Sequence, residues 1–347
     1  MISDDIDVTI EGLLNVANIA GSITSVDVLV GGKNNQTYVV CCDQRERYVV
    51  KKYFQHSLDL RDRQNTELLF SSYANKVAAD FVPKIYAFDK SAGVTLFEFI
   101  DGCPISQGHV QGMEVETAIN FINALNAIQS RSSAPLLPIA SEACFAVQDH
   151  LDLVDRRIDA LFQILHDDIG RDRSSFIRNL ANFWSQLKAS IIEEAINCGL
   201  EASFILPVED RCISPSDFGF HNAIKGPGEE IRFIDFEYAG WDDPAKLVGD
   251  FFSQLAVPVP EQYFTDFVES IAHNFSDSEL FKVRARLLMP VYQIKWCCIA
   301  LNVFLPTHLS RRKFSNPLID ISKLQNDQLS KAKSLLSTLE KKFHELH

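Results

Sequence analysis

Along the first hundred residues the apolar positions alternate or run in short blocks, whereas beyond about residue 115 they recur at helical spacing. Residues 23–30, 37–42 and 48–53 are β-branched or aromatic runs separated by Gly, Asn and charged positions. They read as three strands with tight connections, following a short opening helix. Between residues 58 and 77, Leu68, Leu69, Tyr73 and Val77 fall on one side of a helix, and residues 81–88 and 94–100 return to strand character. The order of strands, helix, strands predicts a small antiparallel sheet with one helix.

Further on, residues 115–128, 147–165, 175–196, 244–256, 262–274, 280–305 and 324–346 carry apolar positions near a 3.6 period and predict a large, mainly helical region. Residues 212–238 break this run with two short apolar strands, 222–224 and 231–236, joined by Lys225-Gly226-Pro227-Gly228. A polar loop and hairpin inside a helical region is where chemistry is expected, because loops on a rigid scaffold tend to carry it. The expected architecture is α+β in two lobes, residues 1–101 and 102–347, dividing near Gly102.

A chain of 347 residues is long enough for each lobe to bury its own core. The formal net charge is −13, and no dense run of Lys or Arg occurs, which argues against a nucleic-acid or anionic-membrane surface. Small cationic or neutral substrates suit this field better, although an acidic balance also serves solubility alone. The eight cysteines lack the paired spacings of a zinc site and the density of a disulfide scaffold, so a reducing cytoplasm is the expected setting. The acidic start MISDDIDVTIEG has no signal-peptide pattern, and the apolar stretch 287–305 is interrupted by Pro290, Gln293, Lys295 and Asn302. A soluble protein with no membrane insertion is expected.

Transfer of a γ-phosphoryl group requires a carboxylate at the accepting hydroxyl, oxygen ligands for magnesium, a cation on the phosphates and amides to cradle them. The segment Ser214-Pro215-Ser216-Asp217-Phe218-Gly219-Phe220-His221-Asn222 contains the Asp-x4-Asn spacing of a kinase catalytic loop, with Asp217 as base and Asn222 as metal ligand. That spacing alone is common by chance. The following strand delivers Asp235 at its end, where a second magnesium ligand belongs. His221 reads either as a second base or as a loop-packing residue.

Upstream, Tyr48-Val49-Val50-Lys51 resembles the kinase strand whose Lys neutralises phosphate charge, with Glu67 as its helix partner. Lys52 is the register alternative, since alternation lets one of the two face the cleft. The turn carrying Gly31, Gly32, Asn34 and Asn35 tolerates the positive φ of a phosphate-covering loop.

Together these residues resemble the aminoglycoside phosphotransferase and choline/ethanolamine kinase superfamily, which shares the two-lobed protein-kinase-like fold. The likeness spans residue 31 to about 252. It rests on Gly31-Gly32-x-x-Asn35-x-Thr37-Tyr38, on Ile234-Asp235-Phe236-Glu237-Tyr238 and on Asp243-Pro244-Ala245. The resemblance implies ATP or GTP with Mg2+ between the lobes and a hinge strand over 95–100, where Glu98 and Ile100 meet the base. The family usually has His two residues before the catalytic Asp; Pro215 stands there, which puts the bracing of the loop in doubt.

For the acceptor, Glu237, Trp241 and Asp242 follow Asp235 closely, and aromatic plus acidic groups suit an amino alcohol or amino sugar. The same residues also serve as packing and capping groups. Asp243 before Pro244 reads as a helix cap, and Asp250 on that helix is expected to reach the catalytic-loop backbone. Rival readings are a sugar or nucleoside kinase, and a catalytically silent nucleotide-binding scaffold. The joint presence of Lys51, Glu67, Asp217, Asn222 and Asp235 argues against silence, and the lack of an A-P-E motif argues against a protein kinase.

Overall fold

The computed structural model describes residues 4–29, 35–55, 61–131, 134, 136–166 and 170–346. It is a two-lobed α+β fold. The smaller lobe runs through α1 (Asp4–Val16), β1 (Ile23–Val28), β2 (Gln36–Cys42), β3 (Arg47–Lys52), α2 (Arg63–Val77), β4 (Ile85–Asp89) and β5 (Val94–Glu98). The five strands form an antiparallel sheet in the order β1-β2-β3-β5-β4.

Tyr38, Val40 and Cys42 of β2 and Tyr48 and Val50 of β3 share one face, and α1 covers it with Ile6, Ile10, Leu13 and Leu14. The strand residues recur every second position and the helix residues every third or fourth, so each element commits one side to the same core. Lys51 is thereby turned to the opposite face, toward α2. Asp62 caps α2 by accepting from Asn65 N. The strand expected from residue 81 starts at Ile85, because residues 79–81 form a 3-10 turn.

The larger lobe begins with β6 (Cys103–Pro104), α3 (Gly112–Asn126), the short α4 (Ile128–Arg131), α5 (Val147–Gln163) and α6 (Arg171–Asn197). It continues through β7 (Cys212–Ser214), β8 (Ala223–Lys225), β9 (Ile231–Phe233), β10 (Gly240–Asp242) and α7 (Pro244–Ser253). It ends with α8 (Phe264–Ala272), α9 (Ser278–Leu301), α10 (Pro306–Ser315) and α11 (Ile321–Leu346). The expected hairpin is present as β8 and β9, joined by β6 in a three-stranded sheet, while β10 pairs with β7.

Helix α9 is the axis of this lobe, packed by α5, α6, α7, α8 and α11. It is long and apolar enough to cross a membrane, yet 61% of its apolar window is buried inside the fold. Its close approach to α7 depends on Gly249, where a Cβ would lie 2.2 Å from the Tyr292 ring. Helix α10 was not expected from the sequence. Of its residues only Arg311 and Ser315 are buried, so it has no apolar stripe to announce it.

Candidate active site

The sheet, α2 and the end of β9 converge on one ionic cluster. Lys51 Nζ donates to Glu67 Oε2 at 2.7 Å and to Asp235 Oδ1 at 2.5 Å. Glu67 also accepts from Tyr53 OH at 2.7 Å and from Phe236 N at 3.1 Å, so its buried carboxylate is held from three sides. Lys51 stays firmly protonated, because the carboxylates outweigh the burial that opposes its charge. Asp235 sits at φ +71°, an uncommon conformation for a residue other than glycine. Burial, together with the charges of Glu237 and Glu67, pushes its carboxyl up to about 7 against the pull of Lys51.

The catalytic-loop candidate lies beside this cluster. Ile234 N donates to Asn222 O at 2.9 Å, which binds the loop to the residue before Asp235. Asn222 Nδ2 donates to Asp217 O at 2.9 Å. Its nitrogen is thus committed to the loop, and Oδ1 is the amide atom suited to a cation. Phe218, next to Asp217, is anchored between Phe251 and Phe233, with ring centroids 5.0 Å away in each case. His221 is buried with Nε2 3.2 Å from Asp217 Oδ1. Around Pro215 the loop is held by His221 against the aspartate and by Ser214 Oγ accepting from Ser216 N at 3.0 Å.

A cavity of about 270 Å3 opens against Asp217 and Ser216, walled by α5, α7, α9 and α10. Its lining includes Arg61, Arg157, Lys246, Lys295, Arg311 and Arg312. The carboxylates in the same lining are Glu142, Asp217 and Asp250. Glu142 pairs with Arg157 at 2.5 Å and is held down to about 2, where burial is outweighed by Arg157, Lys295 and Lys246. His308 is pushed down to about 3 by burial and by the charges of Arg311, Arg157, Arg61 and Arg312. None of these residues except Asp217 and Asp250 was singled out in the sequence for chemistry. The cavity's cations come from five separate segments, so no spacing exposes them; Arg156-Arg157 and Arg311-Arg312-Lys313 are short runs that hint at them.

No protein-family model and no curated protein sequence matches the chain. Solved structures do. A choline/ethanolamine kinase family protein from Mesorhizobium loti superposes with a TM-score of 0.60 at 15% identity, over 97% of this chain and 95% of that one. The choline kinase LicA from Streptococcus pneumoniae gives 0.55 at 18% identity, over 97% and 100% of the two chains. The ADP-bound aminoglycoside phosphotransferase APH(2'')-Ib gives 0.55 at 17% identity, over 95% and 99%. This chain has the fold of the choline/ethanolamine kinases and aminoglycoside phosphotransferases.

Within that kinase fold the remaining sequence candidates fall in different places. Gly31, Gly32 and Asn34 lie outside the described residues. Asn35 is buried as a bridge, its Nδ2 donating to Glu237 Oε2 at 2.7 Å and its Oδ1 accepting from Phe54 N at 3.0 Å. Glu98 ends β5, with its N donating to Lys84 O and its carboxylate paired to Arg232 at 2.9 Å. Ile100 follows in the half-buried connection toward the larger lobe.

The acceptor candidates Glu237, Trp241 and Asp242 do not line the cavity beside Asp217. Glu237 is consumed by Arg63 at 2.7 Å and by Asn35, an ionic clamp between the lobes. Asp242 is fully buried against Lys246 and accepts from Asp243 N at 2.9 Å. Trp241 is half-buried under the Arg131 guanidinium, 5.6 Å from its ring centroid. Each followed Asp235 in the chain and was read either as a ligand group or as a packing and capping group; these are the partners that would serve the second role.

Asp250 also departs from expectation. Its carboxylate accepts from Lys295 Nζ at 2.8 and 2.9 Å and from Trp296 Nε1 at 2.9 Å, which ties α7 to α9 rather than to the catalytic loop. Asp243 does cap α7, accepting from Ala245 N at 2.7 Å with Pro244 in the first turn. Trp296 lines the cavity, whereas Tyr292 is core, its hydroxyl 2.5 Å from His150 Nδ1.

Proposed function

We propose that this chain is a phosphotransferase that moves the γ-phosphoryl group of ATP or GTP, as the magnesium complex, to the hydroxyl of a small molecule. The observation that carries the reading is the junction of the Lys51–Glu67–Asp235 cluster with the Asp217–Asn222 loop through the Ile234–Asn222 backbone bond. A Lys held by a helix Glu, next to two oxygen ligands and a third carboxylate, is the donor set that phosphoryl transfer requires. The fold neighbours, named as kinases of small molecules and including an ADP-bound one, support the same class.

In this reading the nucleotide lies between the lobes divided near Gly102. Gly31, Gly32 and Asn34 cover its phosphates and the Glu98–Ile100 segment meets its base. Lys51, pre-positioned by Glu67, offsets phosphate charge. The donors fit a hard divalent cation: Asp235 is a carboxylate crowded by Glu67 and Glu237, and Asn222 presents an amide oxygen. Magnesium held there would neutralise charge on the transferring phosphate. Asp217 orients the accepting hydroxyl and takes its proton, while His221 holds the carboxylate and the Asn222 amide holds the backbone of the loop. The eight free cysteines support a reducing, cytoplasmic setting.

The test is a product assay by mass spectrometry with Mg-ATP and a panel of alcohols, run beside Asp217→Asn. Turnover that falls by about 100- to 10,000-fold in the variant, with nucleotide affinity retained, is expected. Equal turnover in both proteins would remove Asp217 from the chemistry. Nucleotide binding without turnover on any alcohol would favour a silent nucleotide-binding scaffold.

A further inference from the structure

The charge of the cavity is opposite to that of the chain. The protein carries a formal −13, yet among the described residues the cavity beside Asp217 is lined by six Arg and Lys side chains against three carboxylates. Adding the buried Asp242 behind Lys246 still leaves two positive charges in excess. These cations converge from the segment before α2 and from α5, α7, α9 and α10, so the concentration is a product of the fold and not of a local basic run.

Two of the carboxylates are engaged by particular cations. Asp250 serves Lys295, and Glu142 serves Arg157. Around the remaining wall, Arg311 is buried and donates to His308 Nδ1 at 2.7 Å. That histidine is neutral at pH 7, given its depression to about 3, and so contributes no compensating charge. Burial and the neighbouring Arg311 push the Arg312 guanidinium below its ordinary value. Arg157 Nε is buried without a hydrogen-bond partner among the described residues. Cations crowded and desolvated in this way are unfavourable alone and are relieved by an anion.

The cavity is separate from the nucleotide cluster: Lys51, Asn222 and Asp235 do not line it, whereas Asp217 does. We infer that the acceptor is an anionic alcohol, a small hydroxyl compound bearing a carboxylate or phosphate group that seats against Arg157, Arg311 and Arg312 with its hydroxyl at Asp217. This rests on the phosphotransferase reading of the same site. Planar guanidinium groups pair with both anion types through two parallel hydrogen bonds. In the transfer step the acceptor oxygen forms a bond to the γ-phosphorus and the bond from that phosphorus to the bridging oxygen breaks. The nucleoside diphosphate leaves with the bond's electron pair, and the hydroxyl proton passes to the Asp217 carboxylate.

The experiment compares kcat/KM for glucose, gluconate, glucose 6-phosphate, glucosamine and choline with Mg-ATP, in the intact chain and in Arg312→Gln, Arg311→Gln and Arg311→Lys. Gluconate and glucose 6-phosphate distinguish a carboxylate from a phosphate anchor. At least tenfold preference for an anionic member over glucose is expected, with its KM raised about tenfold in Arg312→Gln and partly restored in Arg311→Lys relative to Arg311→Gln. The nucleotide KM should stay within twofold. Preference for choline or glucosamine, or a rise confined to the nucleotide KM, would overturn the proposal. Calorimetric binding of inorganic phosphate to the Mg-ADP-saturated protein gives a second readout independent of turnover. It is expected to disappear in Arg312→Gln, and its absence from the intact protein would also overturn the proposal. Loss of the kinase reading looks different: no alcohol is then phosphorylated by the intact protein, while phosphate binding persists and still disappears in Arg312→Gln.

Discussion

The two sides of Asp217 are built on different principles. On the side of the Lys51 cluster, opposite charges meet in near balance: Lys51 lies between Glu67 and Asp235, and Arg63 meets Glu237. On the cavity side, cations outnumber carboxylates among the described residues and crowd one another around a neutral histidine. A balanced cluster is a device for holding a lysine still; an excess of one charge raises the local potential and favours a ligand of the opposite sign. The contrast shows why overall charge is a poor guide to a single site: the −13 belongs to the whole chain, while a site is governed by the few groups that share its low-dielectric space.

The largest effect should come from disturbing the balanced side. Lys51→Met leaves the buried carboxylate of Glu67 and the half-buried one of Asp235 without their cation, and the broken Lys51–Glu67 pair alone should cost about 3–5 kcal/mol. Denaturant unfolding should show it, along with nucleotide affinity reduced by at least about tenfold.

A smaller effect should separate the two sides. Gly249→Ala forces α7 away from Tyr292 on α9, costing about 1–3 kcal/mol by overpacking. Because α9 also carries Lys295 and Trp296, the acceptor KM should rise more than the nucleotide KM. An equal rise in both would mean that the two sides move as one body.

The smallest effect concerns the scaffold behind the cavity. Asp243 is held well below the ordinary carboxyl range because Arg284 and His150 outweigh its burial. A depressed carboxyl stabilises the fold above its unfolded value, near 4, and that contribution is lost as pH falls toward the folded value. The thermal midpoint should therefore drop on acidification below about pH 4, and Asp243→Asn should flatten that drop. An unchanged slope would assign acid sensitivity to other groups.

Much of this organisation is legible in the chain itself. The alternation in 37–42 and 48–53 became β2 and β3, and the hairpin inside the helical region became β8 and β9. Lys51 rather than Lys52 enters the ionic cluster because period-two alternation turns adjacent side chains to opposite faces. Four side chains have partners other than the ligand or loop contacts expected of them, for one reason. Glu237, Trp241, Asp242 and Asp250 were placed by proximity to a motif, but adjacency along a chain leaves the direction of a side chain open. Helix α10 escaped notice because its inward residues are arginine and serine rather than apolar.

What the amino-acid sequence determined by itself is what depends on local rules: strand alternation, helical periodicity, the Asp243–Pro244 cap, and the short-range spacing of Asp217, Asn222 and Asp235. What the tertiary structure decided is which distant charges share a space. Glu237 was drawn into a clamp with Arg63 and Asn35 across the lobes, and Arg61, Arg157, Arg311 and Arg312 were gathered around one cavity. Backbone sterics act over a few residues and leave a readable pattern, whereas Coulomb interactions act through space and are indifferent to separation along the chain.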